Sequence, residues 1–239
     1  MRNVLILTRR ELSSYFVSPI AYVAMALFLA ATGFVFAFLG TFSSGQPAHM
    51  GNVFFAITFI LVLVIPILTM RSFAEERGSG TLETLMTAPV TDVEVVLGKF
   101  FGCWAMYLVM LAPTAIYVAL LASYGDPDYG PVLSGYLGLA LLGALYVAVG
   151  VLASSMTRNQ VIAAVVGFAI LALLAWISQL VAVLTPAPYR TIARIVSVPT
   201  HYTDFSQGVV DLVQVVYFVA LTLYVLFFTV KILESRRWR

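Results

Sequence analysis

Six long apolar runs, separated by short polar segments, set the pattern of this chain. Each run has 19 to 24 residues and is apolar throughout rather than alternating, so each is long enough to cross a lipid bilayer as one α-helix. Helices are the expected form because backbone amides in hydrocarbon must be paired within their own segment. The pattern therefore predicts an all-α membrane protein with spans at residues 19–40, 52–70, 100–122, 135–155, 161–184 and 212–233. Pro66 and Pro113 lie inside two of these runs, where we expect bends.

The composition agrees with this pattern. Hydrophobic residues make up 62% of the chain and charged residues 10%, whereas an ordinary soluble domain has about 25% charged residues. A soluble fold is thereby excluded. The runs use most of the 239 residues, so residues 1–239 are predicted to form a single transmembrane domain. Because the first run exceeds the apolar core of a signal peptide, which has about 7 to 15 residues, we expect it to be a retained span.

The basic residues are unevenly distributed across the predicted membrane. If successive connections alternate in side, eleven of the 13 Lys and Arg residues fall on the side that holds both chain ends, and only Arg190 and Arg194 fall on the other. Lys and Arg are enriched in cytoplasmic loops. Both termini are therefore predicted to be cytoplasmic.

Two segments outside the spans contain apolar residues in a helical pattern. Residues 1–18 mix apolar side chains with Arg9, Arg10, Glu11 and Tyr15, which predicts a helix along the cytoplasmic membrane surface; a solvated leader is the alternative. The connections after the first and third spans read as short turns. Residues 185–211 are longer and partly apolar, and we expect a short, partly re-entrant helix there on the outer face.

The cytoplasmic connection at residues 71–99 carries clear helix boundaries. Glycine and serine at residues 78–80 are expected to end the helix that continues from the second span. Thr81 can cap a short helix that Pro89 ends, and Thr91 and Glu94 stand at the spacing of a capping box before the third span. The sequence thus predicts a short helix held crosswise between two helices that enter the membrane.

This crosswise helix presents Leu82, Leu85 and Met86 on one face, beside Glu83. An apolar face between two caps is typical of an element that docks on a partner. A plain charged loop remains the alternative. We expect the segment to contact a cytoplasmic partner protein.

Several classes of function lack the residues they need. No Asp, Glu, Lys, Arg or His lies inside a predicted span, although ion-coupled transporters and intramembrane proteases use such groups at membrane depth. His49 and His201 fall in outer segments, so no metal site is expected, and the lone Cys103 reads as a small packed side chain. The chain has no GxxxxGK[ST] phosphate loop. Energy for any transport must therefore come from another polypeptide.

The stretch EERGSGTLETLMTAPVTDVEVVLGK resembles the hallmark of the ABC type-2 transporter permeases. The six spans, the N-terminal surface helix and the longer outer segment before the last span also match, so the resemblance covers essentially the full length. Within the family, the chain is most similar to the small gliding-motility-type and nitrous-oxide-reductase-accessory-type permeases. The residues that fall on family positions are Glu75, Glu76, Arg77, Gly78, Thr81, Leu82, Glu83, Leu85, Pro89, Gly98 and Lys99.

The resemblance implies an assembly in the bacterial inner membrane. Two permease copies, or two related permeases, would sit above two copies of an ABC ATP-binding subunit, which would hold ATP and Mg; this chain would bind no cofactor, would not be an enzyme and would not bind nucleic acid. The segment from Thr81 to Ala88 would be the coupling helix. Residues 154–160, with Met156, Arg158 and Asn159, would be a smaller second contact.

The function implied is export of a substrate with energy from the partner ATPase. One alternative is a complex that transmits ATP-driven motion to a periplasmic or envelope partner and moves no solute. A membrane-embedded enzyme is a third class, but its candidate groups Asp126, Asp128, His201 and Asp204 are scattered along the sequence. The substrate cannot be read from these residues.

Overall fold

The computed structural model describes residues 2–38, 50–81, 90–124, 128–177 and 197–237, and these ranges are almost entirely helical, without a strand. This agrees with the predicted all-α class. A 3₁₀ turn, Ala112–Thr114, and a π-helical turn, Leu173–Ile177, interrupt the helical segments. The described α-helices are α1 Arg2–Val17, α2 Pro19–Phe38, α3 Gly51–Thr69, α4 Arg71–Gly78, α5 Asp92–Leu111, α6 Ala115–Tyr124, α7 Tyr129–Met156, α8 Gln160–Ala172, α9 Val198–Ser206 and α10 Leu212–Arg237.

Within the described ranges, five helical stretches are long and apolar enough to cross a membrane: Pro19–Phe38, Gly51–Gly78, Asp92–Ser123, Tyr129–Met156 and Leu212–Ser235. They correspond to five of the six predicted spans. The remaining one, at residues 161–184, begins as the shorter apolar helix Gln160–Trp176. Its continuation after residue 177 lies outside the described residues, so the sixth span stays a prediction.

The two prolines inside spans have different surroundings. Pro66 lies within α3, which continues past it to Thr69, and the Met70 amide still donates to the Pro66 carbonyl at 2.9 Å. Pro113 lies in the 3₁₀ turn between α5 and α6. The third span is therefore interrupted at its proline, whereas the second is continuous.

Helix α7 lies at the centre of the bundle and packs against α3, α5, α8, α9 and α10. Glycines on α7 allow side chains of the neighbouring helices to approach its backbone closely. A Cβ on Gly143 would lie 2.0 Å from the Tyr107 ring of α5, and one on Gly150 would lie 2.1 Å from the hydroxyl of Thr69 on α3. Only glycine permits these approaches, so the close packing of α7 depends on its missing side chains.

The short helix α9 confirms that the segment before the last span contains a helix. It packs on the N-terminal part of α7, where the Ser134 hydroxyl donates to the Phe205 carbonyl at 2.7 Å and the Tyr202 hydroxyl donates to the Gly135 carbonyl at 3.2 Å. Tyr202 and Phe205 are fully buried. Its predicted re-entrant position on the outer face stays a prediction, and residues 185–196 lie outside the described residues.

Candidate functional site

The start of α5 has the capping box that the sequence predicts. The Thr91 hydroxyl accepts a hydrogen bond from the Glu94 amide at 3.2 Å, and the Glu94 carboxylate accepts one from the Thr91 amide at 3.1 Å. The Asn3 side chain of α1 donates to the same carboxylate at 3.3 Å. The beginning of α5 is thus fixed by its own cap and by α1.

Helix α1 packs closely along α5 because two glycines of α5 face it. A Cβ on Gly98 would lie 2.5 Å from the Cβ of Leu7, and one on Gly102 would lie 2.6 Å from the Cβ of Glu11. The Thr8 hydroxyl donates to the Gly98 carbonyl at 3.4 Å. This close approach brings Glu11 of α1 next to Lys99 of α5.

Lys99 is only 3% exposed and lies between two carboxylates. Its Nζ is 2.7 Å from an oxygen of Glu11 on α1 and 2.9 Å from an oxygen of Glu76 on α4. The Nζ also lies 5.1 Å from the centre of the Phe73 ring, and the Arg10 guanidinium is 3.4 Å from the same Glu76 oxygen. Buried charges require such pairing. Lys99 of α5 therefore contacts both α1 and α4 and links the three helices.

A second ion pair lies within α4, and its arginine also reaches the junction of α1 and α2. The Arg71 guanidinium holds both oxygens of Glu75, with Nε–Oε2 at 2.6 Å and Nη2–Oε1 at 2.8 Å. This two-bond geometry is the strongest form of an Arg–carboxylate pair. Arg71 also donates to the Ser18 hydroxyl, just before α2 begins. The first residues of α4 are thus anchored to the chain that enters the first span.

Tyr15 closes the contact between α1 and the end of α3. Its hydroxyl donates to the Leu68 carbonyl at 3.1 Å and lies 3.0 Å from the sulfur of Cys103. Burial raises the pKa of Tyr15 well above its usual value, so the phenol stays protonated and can donate. Cys103 is fully buried, as its interpretation as a packed side chain requires.

The junction between α3 and α4 rests on one hydroxyl of α7. The Ser154 hydroxyl accepts hydrogen bonds from the amides of Phe73 and Ala74, both at 3.0 Å, and donates to the Met70 carbonyl at 2.9 Å. Helix starts leave unpaired amides that need such partners. Ser154 thereby satisfies the backbone of α4 and fixes α4 to the end of α7.

The turn between α7 and α8 lies against the end of α4. The Arg77 guanidinium donates to the Ser155 carbonyl, and a Cβ on Gly78 would lie 3.0 Å from the Arg158 carbonyl. Asn159 caps α8 by accepting from the Val161 amide at 2.8 Å. The side chains of Met156, Arg158 and Asn159 are exposed.

The structure thus brings together most described residues of the three predicted groups. The first group is the coupling motif, at the end of α4 and the start of α5. The second group is the contact at residues 156–159, and the third comprises Arg10, Glu11 and Tyr15 of α1. Helix α4 ends at Gly78, and Gly80 has φ of 74°, which confirms the predicted break. Thr81 contacts the Ser79 hydroxyl at 2.9 Å. Arg9 is exposed. The predicted residues Leu82, Glu83, Leu85, Met86 and Pro89 lie outside the described residues, so the crosswise helix stays a prediction.

Sequence reasoning did not find the contacts of Asn3, Ser18 and Arg71. It also did not pair Glu11 with Lys99, which is 88 residues away in the chain. The sequence feature that could have indicated the contact of α1 with α5 is the pair Gly98 and Gly102. Glycines four residues apart are typical of close helix packing, and Lys99 lies next to the first of them. Among the described residues, no three His, Cys, Asp or Glu side chains are grouped as metal ligands.

The chain has recognisable relatives. Residues 43–230 match the sequence profile of the ABC-2 family transporter proteins. The inner membrane transport permease YhhJ of Escherichia coli is 30% identical over 117 residues, and the probable multidrug ABC transporter permease YbhS of the same organism is 32% identical over 123 residues. These matches cover 48% of this chain and 30% and 31% of the relatives. The probable ABC transporter permease protein NosY of Pseudomonas aeruginosa is 28% identical over 142 residues, 51% of this chain and 52% of its own. The matches therefore span 30% to 52% of the relatives' length.

Proposed function

We propose, since this chain belongs to the ABC-2 family of transporter proteins, that it is the transmembrane permease subunit of an ATP-binding-cassette exporter. Family members named ABC transporter permeases support the permease role. The sequence has no phosphate loop, so ATP and Mg would be bound by a separate ATPase subunit. The proposal extends to direction: substrate moves outward across the bacterial inner membrane, with both chain ends on the cytoplasmic side.

The observation that carries this proposal is that the described chain on either side of residues 82–89 is anchored to the helix bundle. On one side of this segment, α4 is fixed to α1, α5 and α7 through Glu76, Lys99 and Ser154. On the other side, α5 is fixed by the cap at Thr91 and Glu94. A segment whose two flanking helices are both anchored, α4 by buried contacts and α5 by its cap, can pass a push from a partner into the membrane helices, whereas a free loop cannot.

The second contact supports the same proposal. Arg77 and Gly78, three to four residues before the predicted coupling segment, adjoin the turn at residues 157–159, which is the predicted second contact. A single ATPase subunit could therefore engage both. We propose that ATP binding closes two such subunits, pushes on residues 81–88 of two permease copies and rocks the copies apart.

Cysteine cross-linking tests the position of the ATPase. In a Cys103→Ala background, which removes the only cysteine, Thr81→Cys and Arg158→Cys would be compared in native membranes with Tyr224→Cys, an exposed position in the apolar span α10. A short bifunctional thiol-to-amine reagent should join positions 81 and 158, but not 224, to a polypeptide that carries a phosphate loop. Addition of ATP should change the yield. Equal yields at all three positions would contradict the proposed interface.

Replacement of Glu83 and Leu85 tests the coupling. The double alanine variant should lose ATPase association or substrate-stimulated ATP hydrolysis while thermal unfolding of the permease is unchanged. Full association and full transport in this variant would show that the coupling assignment is wrong. Substrate movement in reconstituted vesicles also separates an exporter from a complex that only transmits motion to an envelope partner.

A further inference from the structure

A charged cavity of about 280 Å³ lies between α1 and α4, with Lys99 of α5 also lining it. One face of α1 and one face of α4 form its walls. Its volume is equivalent to roughly nine water molecules, enough for a ligand of comparable size. The lining residues are Arg10, Glu11, Ser14, Tyr15, Ser18, Arg71, Ser72, Glu75, Glu76, Ser79, Thr81 and Lys99.

The charges of this cavity balance, but two of them are incompletely paired. Three cations, on Arg10, Arg71 and Lys99, face three carboxylates. One oxygen of Glu76 contacts Lys99 and Arg10, while the other, Oε2, is buried without a hydrogen-bond partner among the described residues. The Arg10 side chain is 59% exposed, and its guanidinium approaches Glu76 at 3.4 Å. Among the described residues, Glu76 therefore has one carboxylate oxygen without a partner, and the Arg10 guanidinium has spare donors.

These two groups define the chemistry of a ligand. A simple cation would meet Arg10 at the rim, and a simple anion would meet the carboxylates of Glu11, Glu75 and Glu76. A ligand with one ammonium and one phosphate suits both groups and leaves the balance of charge unchanged. The terminal torsion of a glutamate is broad, so Glu76 can turn one oxygen toward an ammonium while the other stays with Lys99.

The cavity also lies where lipid headgroups would be. Ser18 immediately precedes the first span and Arg71 immediately follows the apolar part of the second. Helix α1 exposes Leu5, Ile6 and Val17 and carries basic residues, the composition of a helix at the membrane surface. We propose that the cavity binds the phosphoethanolamine headgroup of a membrane lipid, with the primary ammonium on Glu76 and the phosphate on Arg10.

Lipid competition tests this site on the full-length protein. Native mass spectrometry would measure binding of phosphatidylethanolamine and phosphatidylcholine with identical acyl chains, because the trimethylated ammonium of choline cannot donate a hydrogen bond. A single charge-assisted hydrogen bond predicts a preference of about tenfold for phosphatidylethanolamine. Glu76→Gln, which places an amide donor in the site, should abolish the preference. Glu234→Gln, in an exposed pair with Lys231 on α10, should keep it.

A second variant keeps the test decisive if Glu76→Gln does not fold. Arg10→Gln, at a largely exposed position, should weaken both lipids by a similar factor and leave their ratio unchanged. Equal binding of the two lipids by the wild-type protein, or a preference that survives in Glu76→Gln, would overturn the proposal. Binding of soluble phosphoethanolamine without binding of the lipid would overturn the lipid as its source.

Discussion

Replacement of Lys99 by methionine should loosen α1 from the bundle. The amine lies 2.7 and 2.9 Å from two carboxylates and is almost fully buried. At an effective dielectric constant of about 20, each contact has a Coulomb energy of about 6 kcal/mol, most of which desolvation offsets. Removal of one partner from a buried pair nevertheless costs about 3–5 kcal/mol, because the remaining charge has lost its counterion. In this variant Glu11 would lose its partner Lys99, and Glu76 would keep only its 3.4 Å contact with Arg10.

Cys103 provides the assay. It is the only cysteine in the chain and is buried beneath Tyr15 of α1. A maleimide can therefore reach it only when α1 opens, and the labelling rate follows the population of the open state. A loss of about 3 kcal/mol predicts labelling roughly 100-fold faster in Lys99→Met than in the wild type. The rate ratio is taken at one pH, so the intrinsic reactivity of the thiol cancels.

Two controls separate this effect from general damage. Lys231→Met removes an exposed pair with Glu234 and should change labelling less than fivefold, since exposed pairs contribute about 0–1 kcal/mol. Replacement of Glu11, Glu76 and Lys99 together by neutral residues should restore much of the protection, because it leaves no unpaired charge. If Lys99→Met labels within threefold of the wild-type rate, the ion pairs of Lys99 with Glu11 and Glu76 do not hold α1 in place.

Three further variants test other contacts of the site. Ser154→Ala should lower stability by about 1–3 kcal/mol, because it leaves two amides of α4 without an acceptor. The matched control is Ser155→Ala, since the Ser155 hydroxyl donates to the Leu152 carbonyl of the same helix. Equal thermal unfolding of the two variants would contradict the role of Ser154. Gly102→Leu should also speed cysteine labelling, since even its Cβ would lie 2.6 Å from the Cβ of Glu11; unchanged labelling would show that the packing can relax. Asn159→Ala should cost about 0.5–2 kcal/mol through the lost cap of α8, measured by chemical unfolding, and a stability equal to that of the wild type would argue against the cap.

Local features of this chain could be predicted from sequence because they depend on neighbouring residues. The capping box at Thr91 and Glu94 and the break before Gly80 need only a few residues in the right order, and both are present. The spans follow from length and apolarity in the same way, and five of the six are seen in the described ranges. The family resemblance was likewise confirmed by the match over residues 43–230.

The ion pairs of Lys99 with Glu11 and Glu76 could not be predicted, because they depend on how distant helices dock. Glu11 and Lys99 were both identified as candidate residues, but for separate reasons, in a surface helix and in a motif. Their 2.7 Å contact requires α1 to lie along the glycines of α5 in one register. Sequence spacing gives no information on that register. The same holds for Ser154, whose partners are about 80 residues away.

The glycines of α7 limit the movements open to this helix. The Tyr107 ring fills the place of a side chain at Gly143, and Thr69 does so at Gly150, two turns further along the same face. Any rotation of α7 about its axis would replace these glycines with larger residues that collide with Tyr107 or Thr69. The rotation of α7 relative to α3 and α5 is therefore fixed. A helix of 28 residues is about 42 Å long. A displacement applied at Ser154, near one end of α7, should therefore move the whole helix as a rigid body. It should reach α9, which packs against the other end of α7.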